Sequence, residues 1–228
     1  MISTRKGRCI VKSAFWKTAT FLILFSLILI NGNHPAAQAA AAPALQQGSA
    51  NGDVWDLQFR LRLAGFYQMP LDGLYGANTT AAVSRFQANY GLTADGKVGA
   101  QTWTALKKYS LNQHELDILA KVIYSEARGE SYEGQVAVGA VVMNRLQSGL
   151  YGDSIEDIVF QPGAFTAVAD GQYNLTPDST AYWAAQDAVR GWDPTGDALY
   201  YFNPKTATSK WIWSRPQTVQ IGNHIFAK

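Results

Sequence analysis

The chain has 228 residues, of which 47% are hydrophobic, so it is long and apolar enough for one large domain or two small ones. Its net charge of +2 reflects the N-terminus, because five of the 19 basic residues precede residue 18 and all 17 acidic residues lie at or after Asp53. The remainder has a net charge of −3 and no basic cluster, which argues against nucleic acid as a partner.

Residues 1–39 have the three parts of a secretory signal peptide. A basic start is followed by an apolar run from Ala19 to Ile30 and by small residues ending in Ala37-Gln38-Ala39, which predicts cleavage after Ala39. The alternative is a retained membrane anchor, but the run is shorter than the ~20 residues of a spanning helix. We expect export, with membrane contact only through this segment before cleavage.

The exported chain would contain no cysteine. Cys9 lies inside the predicted signal, and only His114 and His224 follow it among the histidines of the mature part. This excludes a cysteine nucleophile and Cys-ligated zinc, and two histidines are too few for a multi-histidine zinc site. We therefore expect no metal and no cofactor.

An internal repeat follows a predicted flexible linker at residues 40–52, which are rich in Ala, Pro, Gln and Gly. DGLYGANT at 72–79 matches DGKVGAQT at 95–102 with an offset of 23 residues. Each copy predicts a tight Asp-Gly turn that leads into a helix with the Thr near its start. Apolar residues at helical spacing precede the first copy, so residues 53–109 are expected to form three short helices joined by two turns.

This unit resembles the small three-helix peptidoglycan-binding domain of exported cell-wall enzymes. The resemblance rests on the two Asp-Gly-x-x-Gly-x-x-Thr turns and on Leu57-Gln58, Phe86-Gln87 and Gly91-Leu92. It implies that residues 53–109 bind peptidoglycan. A generic helical spacer is the alternative.

A second unit is expected over residues 110–228, after the short polar joint Lys107-Lys108-Tyr109-Ser110. Its first helix is predicted by four residues spaced 3, 4 and 3 apart on one face: Leu116, Leu119, Ile123 and Glu126. The helix is expected to end at Arg128-Gly129. Glu126 thus continues an apolar stripe.

Three further segments follow in this unit. The nearly uninterrupted apolar run 134–146 predicts a buried central helix, and residues 148–174 are loop-rich. Thr176-Pro177 then predicts the start of a helix that closes at Gly191. We expect Trp183 and Trp192 to lie in the core.

The C-terminal part changes to a strand-like pattern. Residues 198–202 predict a strand, and 219–221 and 224–226 predict a hairpin around the two-residue turn Gly222-Asn223. The predicted fold class is therefore mainly α (α+β), with a small antiparallel β appendage on a helical second domain.

Two interpretations of Glu126 remain open on the residues alone. The side chain is either solvated at a fraying helix end, as ionised carboxylates usually are, or partly buried, which disfavours its charged form and suits a proton donor. Glu130 lies one turn further on, beyond Gly129, and we expect it to be solvated.

The second unit resembles the catalytic domain of the spore cortex-lytic enzymes and related cell-wall hydrolases. The matching pieces span nearly all of 114–228: IYSEARGE at 123–130, GQVAV at 134–138, VMNR at 142–145, QPGAFTAV at 161–168, ALYYFNP at 198–204, WIW at 211–213 and IGNHIFA at 221–227. The resemblance implies a lysozyme-like fold related to lytic transglycosylases, with Glu126 as the catalytic glutamate. It also implies cortex peptidoglycan containing muramic-δ-lactam as substrate, action in the spore cortex at the outer face of the inner spore membrane during germination, and a spore protein partner that stabilises or restrains the enzyme.

Glycoside cleavage needs a proton on the departing oxygen, which a neutral Glu126 would supply. An ordinary hydrolase needs a second carboxylate as well, and the candidates are Glu130, Asp153, Glu156, Asp170 and Asp193. A lytic transglycosylase does not, because the same carboxylate can then accept the proton of the muramic acid 6-hydroxyl, which forms a 1,6-anhydro ring.

Residues that bind the glycan are expected among the aromatic and polar side chains of the predicted loops and hairpin. Aromatic rings stack on sugars, although each could equally fill the core, and the candidates are Phe165, Tyr173, Tyr201, Trp211 and Trp213. The polar candidates are Gln161, Thr166, Asn203 and His224, the last of which could instead be structural.

Two other functions stay open as alternatives. A muramoyl amidase usually needs zinc, for which the chain has few ligands. A non-catalytic wall-binding module would need only the first unit.

Overall fold

Three helices joined by two turns form the first part of the chain. The computed structural model describes residues 42–228, so the predicted signal peptide lies outside the described residues. The helices are α1 (Gly52–Leu63), α2 (Ala77–Asn89) and α3 (Ala100–Tyr109). This confirms the three helices that the repeat predicts.

A buried glutamine holds each Asp-Gly turn. Gln58 of α1 accepts a hydrogen bond from the backbone of Asp72 (3.1 Å) and donates to its carboxylate (2.7 Å). Gln87 of α2 likewise accepts from the backbone of Gly96 (2.9 Å) and donates to the Asp95 carboxylate (3.0 Å). Because buried polar groups must be paired, each glutamine ties a helix to the turn that follows it. The structural repeat therefore begins in the helix before each turn.

Part of the predicted linker packs on this unit. Leu45 forms an isolated β-bridge with Val98 and is 3% exposed. The Trp103 indole N–H donates to the Pro43 carbonyl at 2.7 Å. At these positions the segment is a packed strand-like piece of the first unit and not a flexible lead-in.

Four helices and two single-turn helices build the second part around a buried centre. Their bounds are α4 (Gln113–Ala127), α5 (Tyr132–Ser148), α6 (Ile155–Val159), α7 (Thr166–Ala169), α8 (Ser179–Val189) and α9 (Lys210–Trp213). Helix α5 contacts α4, α6 and α8, and its residues from Gly134 to Met143 are all buried. An all-round apolar helix needs such a position, so the predicted central helix is confirmed. No helix within 42–228 is long and apolar enough to cross a membrane.

Helix α8 differs from its prediction in two respects. It begins two residues beyond the predicted proline position, because the Asp178 side chain caps it by accepting from the Ala181 N–H at 2.9 Å. The prediction that Trp183 and Trp192 lie in the core is wrong. Trp183 is 58% exposed because α8 packs on α4 and α5 through its alanine face, and Trp192, which lies beyond the end of α8, is 45% exposed.

Three short antiparallel strands form the predicted β appendage. They are β1 (Tyr200–Phe202), β2 (Gln217–Ile221) and β3 (His224–Ala227), in the order β1-β3-β2. The turn between β2 and β3 is the predicted Gly222-Asn223, and Gly222 has φ +56°, a left-handed conformation that glycine adopts without strain. Helix α9 lies between β1 and β2 and was not predicted from the sequence.

The joint between the two parts is buried. Ser110 is 0% exposed, and its hydroxyl donates to the Arg60 carbonyl of α1 at 2.7 Å. The Arg60 guanidinium group donates to the Ser110 carbonyl at 3.1 Å and pairs with Glu115 of α4 at 3.0 Å. These reciprocal contacts fix α1 to the start of α4.

Candidate active site

Glu126 lies in the last turn of α4, on the face that the sequence predicts. Leu116, Leu119 and Ile123 of the same stripe are at most 4% exposed, whereas Glu126 is half-buried. The helix ends with Arg128 as its C-cap residue. The carboxyl group is therefore positioned by a core helix and retains access to solvent.

Both carboxyl oxygens of Glu126 accept a hydrogen bond. Oε1 accepts from the backbone N–H of Ala167 at 2.8 Å, and Oε2 accepts from the Tyr201 hydroxyl at 3.0 Å. Ala167 lies in the first turn of α7, where N–H groups lack helical partners, and the N-cap residue Phe165 supplies no side-chain bond. Glu126 thus takes the place of a cap for α7. Three elements, α4, α7 and β1, meet at one carboxyl group.

Tyr201 stays a neutral hydroxyl group at this site. Burial of the hydroxyl raises the pKa of Tyr201 well above its ordinary value, and the charge of Glu126 and the hydrogen bond to it act in the same direction. Arg145 acts in the opposite direction, but its effect is smaller. Sequence analysis predicted a sugar-stacking role for Tyr201, whereas the structure places its hydroxyl group on the candidate catalytic residue.

Glu130 is not solvated, so the expectation from its place beyond the helix end is wrong. Its side chain is 10% exposed and accepts from the side chain of Asn223 at 2.9 Å and from the Asn223 backbone at 3.2 Å. His224 Nδ1 lies 4.0 Å from Glu130 Oε1. The turn fits tightly, because a Cβ at Gly222 would lie only 2.0 Å from the carboxylate. Glu130 therefore fastens the β2–β3 turn to the connection between α4 and α5.

The Glu130→Gln variant is expected to destabilise the protein by about 2 kcal/mol at neutral pH, since hydrogen bonds to a charged group are stronger than neutral ones. Burial alone would raise the pKa of Glu130, but the two Asn223 hydrogen bonds and His224 outweigh it and lower the pKa below its ordinary value. A lowered pKa means that this stability is complete above the unfolded value and is lost as the pH falls through the folded value. Chemical denaturation at several pH values measures it.

The control for this prediction is the partner side chain. In Asn223→Ala, the Glu130→Gln change should cost clearly less than in the wild type, because the two groups act as one pair. A cost of Glu130→Gln that stays the same down to pH 3 would contradict the pairing.

None of the hydrogen bonds recorded for Glu126 within 42–228 involves a second carboxylate. Of the other candidates, Asp170 accepts two hydrogen bonds from Gln172, and Asp193 is held by Asn144 and its own loop. Asp153 and Asp170 are exposed, and the Glu156 side chain is 39% exposed. No hydrogen bond recorded among the described residues joins any of these four carboxylates to Glu126.

The predicted aromatic glycan-binding residues separate by exposure. Phe165 is 3% exposed and packs in the core, so the prediction that it stacks on a sugar is wrong, because its ring has no open face. Tyr173 is half-buried, with its ring edge-to-face against Phe160 at 5.2 Å. Trp211 and Trp213 are 52% and 42% exposed on α9 and have open faces.

The predicted polar glycan-binding residues differ in their exposure and in their contacts. Gln161 and Thr166 are exposed, and Thr166 begins α7 next to Glu126. Asn203 accepts a hydrogen bond from the Lys205 backbone at 2.9 Å and so stabilises its own turn. The His224 ring packs edge-to-face on Tyr201 at 5.1 Å, so it supports the sheet, which is the structural role that the sequence left open for it.

Two parts of this site were not predicted from the sequence. The Ala167 donor is a backbone N–H group, and the type of residue at this position does not indicate it. Arg145 is 7% exposed in α5 and lies below the Phe165 ring at 5.2 Å. An arginine inside an otherwise apolar helix was the available signal for it. Within the part of the chain that the structure describes, no group of three or more His, Cys, Asp or Glu side chains could hold a metal ion.

Two family models match the chain. Residues 50–106 match a peptidoglycan binding domain, and residues 129–227 match the family described as Cell Wall Hydrolase. The second match begins three residues after Glu126, so the candidate catalytic residue itself lies just outside it.

Individual relatives extend these matches over nearly the whole chain. A spore cortex-lytic enzyme of Bacillus cereus is 39% identical, over 95% of this chain and 99% of its own. The crystal structure of the catalytic domain of the Bacillus cereus SleB protein is 56% identical, covers 52% of this chain and 93% of its own, and has a TM-score of 0.50. The catalytic domain of the germination-specific lytic transglycosylase SleB from Bacillus anthracis is 57% identical, over 52% of this chain and 97% of its own, also with a TM-score of 0.50. The chain therefore belongs to the family of spore cortex-lytic enzymes.

Proposed function

We propose that this protein is an exported enzyme that cleaves the glycan strands of spore cortex peptidoglycan during germination, with Glu126 as acid and then base. The observation that carries the proposal is one carboxyl group whose two oxygens are oriented by Ala167 and Tyr201. Its relatives named as cortex-lytic enzymes, one of them a lytic transglycosylase, support the substrate and the reaction.

The two hydrogen bonds suggest which oxygen transfers the proton. The Ala167 N–H can only donate, so it reserves Oε1 of Glu126 as an acceptor. The Tyr201 hydroxyl can donate to a carboxylate or accept from a carboxylic acid, so its contact with Oε2 suits both protonation states. We therefore assign the exchanged proton to Oε2.

The reaction then needs one carboxyl group for two steps. Neutral Glu126 gives its proton to the departing glycosidic oxygen, while positive charge develops at the anomeric carbon. Ionised Glu126 next accepts the proton of the muramic acid 6-hydroxyl, whose oxygen bonds to the same anomeric carbon. The product is a 1,6-anhydromuramic end, and the carboxyl group is protonated again. These steps need no second carboxylate, and among residues 42–228 the recorded hydrogen-bond partners of Glu126 are the Ala167 N–H and the Tyr201 hydroxyl.

Binding of the strand is assigned to exposed groups on both parts of the chain. Trp211 and Trp213 offer rings for the apolar faces of sugars, and Gln161 and Thr166 offer polar groups beside α7. The unit that matches a peptidoglycan binding domain would hold the enzyme on its polymer. We place its action in the spore cortex at the outer face of the inner spore membrane, with a spore protein partner that restrains it, as the family resemblance implies.

Product analysis tests the proposal. Mass spectrometry of glycan released from purified cortex should show fragments with 1,6-anhydromuramic ends, and a digest with a hydrolytic muramidase gives the reference pattern of reducing ends. Reducing muramic ends from this enzyme would show a hydrolase and would overturn the transglycosylase step. Released peptides with intact glycan would instead show an amidase, and sacculus binding without any release would show a wall-binding module.

A further inference from the structure

Arg145 is a buried cation without an acidic partner in the described part of the chain. Its Nε donates to the Leu199 carbonyl at 2.8 Å. Its guanidinium carbon lies 5.2 Å from the ring centres of Tyr151 and Phe165 and 5.7 Å from that of Tyr200. None of the ion pairs found within residues 42–228 includes it.

A second arginine points into the same cluster of rings. The Arg215 guanidinium carbon lies 5.1 Å from the Trp211 ring centre, and the Trp211 ring meets the Tyr200 ring edge-on at 5.1 Å. Arg215 Nε is buried and has no hydrogen-bond partner within the described residues. Burial and a hydrogen bond with Tyr200 raise the pKa of Tyr151 to about 12, and both Arg145 and Arg215 act to lower it. The two guanidinium groups therefore border one cluster of rings, Arg145 at Tyr151 and Tyr200, and Arg215 at Trp211.

Two arginines without an acidic partner at this ring cluster cost free energy, unless an anion binds between them and pairs with their charges. A buried charge normally has a partner of opposite sign, and a buried donor normally has an acceptor. Burial lowers the pKa of Arg145, yet a guanidinium group remains charged at any physiological pH. Its planar donors match a carboxylate, often with two parallel hydrogen bonds. Buried charges without a partner and buried donors without an acceptor are expected mainly at functional sites.

The cluster lies beside the candidate catalytic carboxyl group. Phe165, which contacts Arg145, directly precedes α7, the helix whose Ala167 N–H binds Glu126. Arg145 also acts electrostatically on Tyr201, the other partner of Glu126. The exposed ring of Trp211 borders the same cluster, so one edge of the cluster lies at the surface.

We propose that Arg145 and Arg215 form a subsite for a carboxylate on a muramic acid residue of the strand. Such a carboxylate has two sources on a muramic acid residue: its own free lactyl group, or the peptide stem that is attached to it. Muramic-δ-lactam has neither, because its lactyl carboxyl group is closed into the ring amide. The subsite would therefore recognise an unmodified muramic acid near the cleaved bond. This inference rests on the proposed function, since it takes peptidoglycan as the ligand.

Three glycans of equal length distinguish the sources. One carries a free lactyl carboxylate, the second a neutral lactyl amide and the third a peptide stem with its terminal carboxylate. Charge-assisted hydrogen bonds are worth roughly ten- to a hundredfold in affinity, so the wild type should bind at least one charged glycan about tenfold more tightly than the amide. Arg215→Gln should reduce that ratio towards one. The glycan that loses most identifies the carboxylate.

Binding to the inactive Glu126→Gln background separates this inference from the proposed function, because discrimination can persist where no cleavage occurs. Lys210→Gln removes one charge from the exposed helix α9 and should keep the ratio, whereas Arg215→Lys should restore part of it. Arg215 is preferred to the more deeply buried Arg145 for these variants, and thermal unfolding checks that they fold. An equal loss on all three glycans, or a wild type that does not discriminate, would overturn the carboxylate subsite.

Discussion

The Glu126→Gln variant should lose glycan cleavage, with kcat reduced roughly 10³-fold, a value inside the range known for general acid–base catalysis. The amide oxygen can still accept from the Ala167 N–H, and the amide N–H can donate to the Tyr201 hydroxyl, so both contacts survive. What is lost is a group that can give and then take a proton. Fragment release from cortex glycan, followed over time, measures the effect.

The matched control is Glu133→Gln, which makes the same charge change at an exposed position in the first turn of α5. It should keep the wild-type rate. Both variants should bind sacculi as the wild type does and should unfold at a similar temperature. More than a tenth of the wild-type activity in folded Glu126→Gln would mean that another group transfers the proton.

Much of the fold is predictable because its signals are local. The repeated Asp-Gly turns require glycine conformations and begin helices, so α2 and α3 follow from a few residues each. The run that forms α5 is too apolar for any place except a core. Helix α9 had no such signal, because its four residues are too short for a periodic pattern to show.

Glu126 is the part of the candidate site that could be predicted, because the spacing of residues along one helix determines which face it lies on. The spacing with Ile123 places Glu126 at the edge of the core, and the structure agrees. Its partners Ala167 and Tyr201 come from 41 and 75 residues away, so the contacts depend on tertiary packing that no spacing encodes. Glu130 shows the same limit, because a charge beyond a helix end becomes buried when a distant turn packs on it.

The β appendage positions one hydrogen-bond partner of Glu126, because Tyr201 lies in β1. Strand β1 pairs with β3, and β3 begins at the turn that Glu130 holds. Glu126 and Glu130, four residues apart, thus have separate tasks: one carries the candidate chemistry, and the other anchors the sheet that delivers the Tyr201 hydroxyl group. The two glutamates differ because α7 and β1 contact Glu126, whereas the β2–β3 turn contacts Glu130.

The largest expected effect on stability comes from Arg60, which lies at the joint between the two parts. Arg60 is 2% exposed and pairs with Asp56 at 3.1 Å and with Glu115 at 3.0 Å. Glu115 is itself 9% exposed, and it caps α4 by accepting from the Asn112 backbone at 2.7 Å. One buried ion pair therefore connects the third turn of α1 with the first turn of α4.

Arg60→Met should lower the free energy of unfolding by about 3 kcal/mol, because removing one partner of a buried pair leaves the other charge uncompensated. The methionine fills most of the space of the arginine stem, so the loss reports the charge and its hydrogen bonds more than a cavity. In the Glu115→Gln background the same change should cost clearly less, since no buried charge is then left alone. Denaturant unfolding of the four proteins measures this coupling.

Arg62→Met is the control, because it makes the same substitution on an exposed face of α1 and should change the free energy of unfolding by less than about 0.5 kcal/mol. A cost of Arg60→Met as small as that of the control would show that the pair is not a determinant of stability. Equal costs of Arg60→Met with and without the Glu115 charge would locate the effect in the Asp56 ion pair and in the hydrogen bond to the Ser110 carbonyl instead. A loss that disappears with the Glu115 charge would establish that the Arg60–Glu115 ion pair between α1 and α4 accounts for the stability that Arg60 contributes.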